Sequence, residues 1–338
     1  MKPQRRAKLI DVARDAGVSP ATVSRAISQP YLLSKDTLVR VRDSAERLGY
    51  RPDAAAQALA SGRSMTIGVV IPTLDNAIFS RALQSMQRTL ASEGYQLLVA
   101  SHDYSAAAET DAVRTFLARG LDGLMLVGGE RAPDTRALLE NAGVPVVLTW
   151  CDVPGHACVA VDNDLAGRLA AKHLYDLGHR RIGMVTGGLT FNDRQQARLE
   201  GARRFLSEVG IDLPDWLVSQ QPTTLAGGRI GCARMLELAN PPTALIGGID
   251  LIAIGCVVEA QARGLHVPTD LSVVGIDNLD MSAHLAPSLT TVHIPTADIG
   301  SEAAKMLVGI IRQQSSPGTI SLPVDLVVRR SSGLAPAK

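Results

Sequence analysis

Arg25 stands beside the hydroxyls of Thr22 and Ser24 near the start of a 338-residue chain, and Ser34 and Thr37 follow shortly after. A guanidinium can fork two hydrogen bonds to an acceptor edge such as that of guanine, and hydroxyls reach phosphate oxygens. A second set of chemical groups lies farther on. Trp150 and Phe79 offer ring faces, Arg194 and Arg198 are one helical turn apart, and Asp162, Asp250 and Asp277 flank apolar runs. Ring faces meet the C–H surface of a sugar, and a few polar groups orient it. With only 3% aromatic residues, a Trp at the end of an apolar run stands out. Nothing here has the spacing of a catalytic site. There is no P-loop, no G-x-S-x-G and no G-x-G-x-x-G behind a strand, and the run Gly227-Gly228-Arg229-Ile230-Gly231 has the wrong spacing. Cys151, Cys158, Cys232 and Cys256 are scattered without CxxC pairs, as expected of reduced, buried thiols. The expectation is a chain with no catalytic residues, no metal and no cofactor.

The first set needs a rigid local frame, and the surrounding sequence provides one. Leu9, Val12, Ala13 and Ala16 fall at helical spacing. Gly17 supplies the positive φ that ends a helix, Ser19 can cap the next one, and Pro20 suits its first position. Val23 and Ile27 continue an apolar face. The pattern reads as a helix-turn-helix, whose second helix lies in the major groove of DNA. If Ser19–Ser28 is that helix, Pro20 and Ala21 come first and can touch only thymine methyls or the groove wall, which leaves Arg25 as the direct reader. Thr22, Ser24, Ser34 and Thr37 are suited to phosphates, and Ser19, the cap, is counted with the DNA-binding candidates. Ser34 opens a third helical pattern carrying Leu38, Val41, Ala45 and Leu48, which stops at Gly49-Tyr50-Arg51-Pro52.

Charge is distributed accordingly. Residues 1–63 hold twelve Lys/Arg and six Asp/Glu, and the rest holds 22 and 27, so the overall +1 hides a basic head on an acidic body. That asymmetry fits a polyanion partner for the head alone. No apolar run reaches membrane-spanning length. Lys2-Pro3-Gln4-Arg5-Arg6 is not followed by an apolar signal region, so a cytoplasmic protein is expected.

From Thr66 onward, short apolar runs alternate with helical patterns. Strands are expected at 67–71, 96–100, 123–127, 146–148, 159–161, 181–185, 244–246 and 273–276, with helices between them. Continuous apolar strands separated by helices indicate parallel sheets covered on both faces, and there are enough units for two. In such sheets ligands bind beyond the carboxyl ends of the strands, where Trp150 and Asp277 fall.

The run Asp11-Val12-Ala13-Arg14-Asp15-Ala16-Gly17-Val18-Ser19-Pro20-Ala21-Thr22-Val23-Ser24-Arg25, the Leu48-Gly49-Tyr50-Arg51-Pro52 stop and the Ala-rich segment behind it resemble the headpiece of the LacI/GalR repressor family. The double α/β body resembles that family's type I periplasmic-binding-protein core. The resemblance implies a small all-α headpiece at 1–52, a hinge helix at 53–63, an α/β core of two doubly wound parallel-sheet subdomains at 64–330, and a tail at 331–338. The N-subdomain would hold about 65–162 and 293–322, and the C-subdomain about 163–292 and 323–330. It also implies a hinge helix in the minor groove, with Leu59 as its wedge and small residues such as Ala56 letting two copies approach.

In the core, the resemblance places Arg198, Trp150 and Asp277 at a ligand cleft between the subdomains. Arg194 and Phe79 join them as candidates. Asp162 either lines the cleft or belongs to the crossing, and Asp250 precedes a helix it could cap. The chain departs from the family pattern at Lys8, Asp53, Ile249, Ile276 and Asn278. Ile249 in particular removes a hydrogen-bonding group from the expected pocket. The implied function is a transcriptional repressor whose affinity for a palindromic double-stranded operator is set by a small-molecule effector. The effector is expected to be a sugar or sugar acid, with a purine or other metabolite as the alternative. No leucine heptad follows Val324–Val328, so a homodimer is expected, with no membrane partner. A solute-binding protein and an α/β enzyme are the competing classes.

Overall fold

A computed structural model describes residues 7–51, 58 and 62–336. It forms two compact units, Met1–Thr66 with Gly120–Asp122, and Ile67–Arg119 with Gly123–Lys338.

The first unit holds α1 (Leu9–Asp15), α2 (Pro20–Ser28) and α3 (Lys35–Arg47). Ser19 Oγ accepts the Thr22 N–H at 3.1 Å, and Ser34 Oγ accepts the Thr37 N–H at 3.3 Å, so α2 and α3 begin on hydroxyl caps. Gly17 has φ +65°, which lets α1 stop sharply before Ser19. At the start of α1, Asp11 reaches back to the Lys8 N–H at 2.9 Å. This half of a capping box serves where Lys8 offers no hydroxyl. Val12, Ala13, Ala16, Val23 and Val41 form the small core, with Leu9, Ile27, Ala45 and Tyr50 packed around it. Leu48, expected on that face, follows the end of α3 and is 39% exposed. Most of the expected hinge segment, Ala56 and Leu59 included, lies outside the described residues.

The second unit contains two six-stranded sheets. In chain order its elements are β1 (Thr66–Ile71), α4 (Ala77–Ser92), β2 (Gln96–Ser101), α5 (Ala106–Ala118), β3 (Gly123–Val127), α6 (Pro133–Glu140), β4 (Val146–Thr149), β5 (Ala157–Val161), α7 (Asn163–Asp176), β6 (Ile182–Thr186), α8 (Asp193–Glu208), β7 (Val218–Gln220), α9 (Leu225–Leu236), β8 (Ala244–Gly247), α10 (Asp250–Ala262), β9 (Ser272–Asp277), β10 (Thr290–His293), α11 (Thr296–Ile311), β11 (Thr319–Leu322) and β12 (Asp325–Val327). The sheet orders are β11-β5-β4-β3-β1-β2 and β12-β10-β9-β8-β6-β7. Strands such as Gly123–Val127 and Ile182–Thr186 are buried along their whole length, because helices cover both faces of each sheet.

The chain passes between the sheets after β5, after β10 and between β11 and β12. α11 packs on α4 and the first sheet, whereas α7 packs on α8 and the second. One strand departs from the parallel expectation, since β12 runs antiparallel to β10. Only Pro323 and Val324 separate β11 in the first sheet from β12 in the second, too short a link to travel round to the far end of the second sheet, so β12 enters it against the direction of β10. His179, which could have capped a helix end, is instead fully buried. Its ring nitrogens bond Thr243 Oγ1 at 2.9 Å and Ser272 Oγ at 3.0 Å.

Candidate functional site

The headpiece presents one outward face on α2. Val23 is buried beneath it, Pro20, Ala21 and Arg25 are exposed, and Thr22 and Ser24 are half-buried. The Ser19 and Thr22 hydroxyls lie 2.9 Å apart, as do those of Ser34 and Thr37. Two hydroxyl pairs therefore sit at two helix N-termini, where free amides and the helix dipole attract phosphate. Between these helices Tyr31 is 80% exposed in the short turn Pro30–Leu32. Sequence reasoning passed over it, although an aromatic between two capped helices in an aromatic-poor chain is a signal.

In the core, the expected side chains at the carboxyl ends of the strands converge. Phe79, Trp150, Arg194, Arg198 and Asp277 line one small, half-open cavity, joined by Asn76, Tyr104, Asn192, Gln195 and Ile249. The Phe79 and Trp150 rings meet edge to face, with centroids 5.7 Å apart. Backbone strain concentrates here. Tyr104, Trp150, Phe191, Asp277 and Asn278 all have positive φ, an expensive conformation for residues with side chains and one that clusters at functional sites.

Arg198 organises the floor. It is buried, and its Nη1 donates to Gly248 O at 2.8 Å and to Asp277 Oδ1 at 3.3 Å. Its Nε donates to Asn163 Oδ1 at 3.0 Å, and Asn163 Nδ2 donates to Trp150 O at 2.9 Å. A polar chain thus ties the end of β4 in the first sheet to the end of β9 in the second. Burial pushes the Asp277 carboxyl up to about 7, against the pull of Arg198, and burial also lowers the Arg198 pKa. Among the described residues, Trp150 Nε1, Asn192 Oδ1 and Asp277 Oδ2 are buried and have no hydrogen-bond partner within the protein. Such groups are costly to leave unpaired, so they call for ordered water or a ligand that both donates and accepts.

Two expected residues stand apart. Asp250 is wholly buried at the start of α10. Its carboxylate accepts from Leu279 N–H at 2.8 Å, from Ser282 Oγ at 2.6 Å and from the Thr291 hydroxyl. It anchors the loop after β9 and does not line the cavity. Asp162 is exposed and caps α7, with Oδ1 accepting the Leu165 N–H at 2.8 Å, and it borders an open pocket shared with Trp150, Arg194 and Ser321. Its neighbour Asn163 enters the polar chain to Arg198. Sequence reasoning missed Asn163, Asn192 and Tyr104 because each is a single polar residue with no periodic partner. Ile249 does present an apolar side to the cavity.

A second constellation adjoins the first through Tyr104 and Arg194, lined also by His102, Glu109 and Phe191. Arg131, buried behind it, donates to Gly128 O at 2.7 Å and pairs with Glu109 at 3.4 Å. Burial and the nearby Arg194 and Arg131 lower the His102 pKa to about 4, so the ring is neutral near pH 7. Burial likewise raises the Glu109 carboxyl.

A two-lobed α/β core with a polar cavity, in one chain with a helix-turn-helix, is the architecture of a DNA-binding regulator. Residues 8–53 match the family described as bacterial regulatory proteins, lacI family, and residues 171–332 match the periplasmic binding protein-like domain. The chain is 33% identical over 335 residues to the HTH-type transcriptional regulator GntR of Pseudomonas aeruginosa, covering 97% of this chain and 96% of that one. The lac repressor dimer bound to operator and the anti-inducer ONPF superposes with a TM-score of 0.87 at 28% identity, over 97% of this chain and 100% of that one. The transcriptional regulator CelR in complex with cellobiose gives 0.73, also at 28% identity, over 97% and 100%. The protein belongs to the lacI family of bacterial transcriptional regulators. Among the described residues, no helix is long and apolar enough to cross a membrane.

Proposed function

We propose that this protein is a cytoplasmic, dimeric transcriptional repressor that binds a palindromic operator and is controlled by a neutral, hydroxyl-rich effector of the sugar class held between the core lobes. The carrying observation is the set of unpaired atoms on Trp150, Asn192 and Asp277 around one cavity. A sugar hydroxyl both donates and accepts, and so serves the indole N–H, the Asn192 amide oxygen and the Asp277 carboxyl in either protonation state. The Phe79–Trp150 pair supplies the apolar surface. The arginines, taken by themselves, suit a sugar acid. In the fold each faces a carboxylate, Arg198 with Asp277, Arg194 with Asp193 and Arg131 with Glu109. Internal neutralisation of this kind supports the uncharged sugar over its acid.

Effector binding changes operator affinity by the difference in its affinity for the two core states. The test is selection of genomic DNA fragments by the purified full-length protein at near-physiological salt. Recovery of one palindromic site, with occupancy altered by a neutral sugar, is the expected result. Recovery only of unsorted, salt-sensitive fragments would overturn autonomous sequence reading. A response to a purine or an acid alone would overturn the effector class.

A further inference from the structure

We propose that Asp193 and Gln196 form a latch that holds the two core lobes together without any ligand. Both lie in the first turn of α8, which packs with the second sheet, and both reach the segment Gly128–Glu130 that follows β3 of the first sheet. Asp193 Oδ2 accepts the Gly129 N–H at 2.6 Å, and its Oδ1 accepts from Arg194 Nη1 at 2.9 Å. Gln196 Nε2 donates to Glu130 Oε2 at 3.0 Å.

The helix divides its labour by spacing. Residues 193 and 196 stand i, i+3 on one side and face the other lobe. Arg194 and Arg198 stand i, i+4 and face the cavity. Neither Asp193 nor Gln196 lines that cavity, although Asp193 borders the open pocket beside Trp150 and Arg194. The seat on the first lobe is built for close approach. Gly128 has φ +79°, and a Cβ there would lie 2.2 Å from Arg194 Nη1 and 2.8 Å from Asp193 Oδ1. A Cβ at Gly129 would lie 2.5 Å from a Val153 methyl. A side chain at Gly128 would force the latch away, whereas one at Gly129 would first meet its own lobe at Val153.

The latch biases the lobes toward closure before any effector arrives. An effector shifts an equilibrium only by its differential affinity, so a pre-closed core leaves it less to shift. That regulatory meaning rests on the proposed function above, whereas the latch itself does not.

The test is a distance distribution between spin labels on α4 and α9 of the full-length, ligand-free protein. Wild type should give one short, narrow population. Asp193→Ala should raise the open-to-closed ratio about tenfold, the scale of one lost charge-assisted hydrogen bond. Asp193→Asn keeps an acceptor for Gly129 N–H and should fall between the two. Gln196→Ala removes only a half-exposed amide and should move the distribution in the same direction by less, which covers the case of a poorly folding Asp193→Ala. Wild-type distances in Asp193→Ala, or in Gln196→Ala if the former does not fold, would overturn the latch. Operator affinity is measured on the same variants. Altered distances with unchanged operator affinity would leave the latch standing and refute the coupling of core closure to DNA binding.

Discussion

The headpiece and the core handle their functional side chains in opposite ways. In the headpiece the chemistry faces outward, with Arg25, Pro20 and Ala21 exposed over a core of five buried residues. In the cleft it faces inward, with Arg198 and Asp277 both buried and bonded to each other. A side chain such as Arg25, which meets DNA from solvent and caps no helix, can be removed without disturbing what lies beneath it. A buried ion pair cannot, because removing one partner strands the other charge. Function and stability should therefore separate in the headpiece and coincide in the cleft.

The strongest way to break that contrast is Arg198→Ala. It removes the partners of Asp277 Oδ1 and Asn163 Oδ1 and one of the two donors to Gly248 O together. The expected loss is about 3–5 kcal/mol of core stability along with effector binding, read from denaturant midpoints and calorimetry. Loss of binding with an unchanged midpoint would place the cleft in the same category as the headpiece.

Next in size is a pH dependence. The buried Asp277 carboxyl is raised to about 7, so the fold favours its protonated form. Its contribution to stability is complete below the ordinary carboxylate range and is lost as pH rises through about 7. Between pH 5 and 8, wild-type stability should fall relative to Asp277→Asn. Parallel pH curves for the two proteins would show that Arg198 fully compensates the buried charge.

Arg25→Ala should leave the thermal midpoint unchanged. It should cost about 1–3 kcal/mol of discrimination at one base position per half-site, measured by competition between operator variants. Equal losses on specific and random duplexes would make Arg25 a phosphate contact. The smallest effect belongs to Ser34→Ala, which deletes the α3 cap. It should cost about 1 kcal/mol of headpiece stability and weaken binding to all sequences alike. A sequence-dependent loss would move Ser34 into the reading set.

Much of the molecule was legible in the chain because it is local. The Gly17, Ser19 and Pro20 signals lie within four residues and act within one turn of chain, so α1, the turn and α2 follow from sequence alone. Apolar strand runs such as Gly123–Val127 are equally self-announcing. β7 was not expected, since Val218–Gln220 is three residues long and only its middle residue is buried. A short edge strand carries too little periodicity to register.

What only the tertiary structure decided is which polar residues meet. Arg198 and Asp277 are 79 positions apart, Gly129 and Asp193 are 64 apart, and Asp250 meets Ser282 across 32. Chain patterning tells which face of an element is apolar. It does not tell which of several carboxylates at strand ends will find an arginine, a loop amide or a helix cap. Asp277, Asp250 and Asp162 took those three different fates, because the packing of two sheets fixes each carboxylate's neighbours.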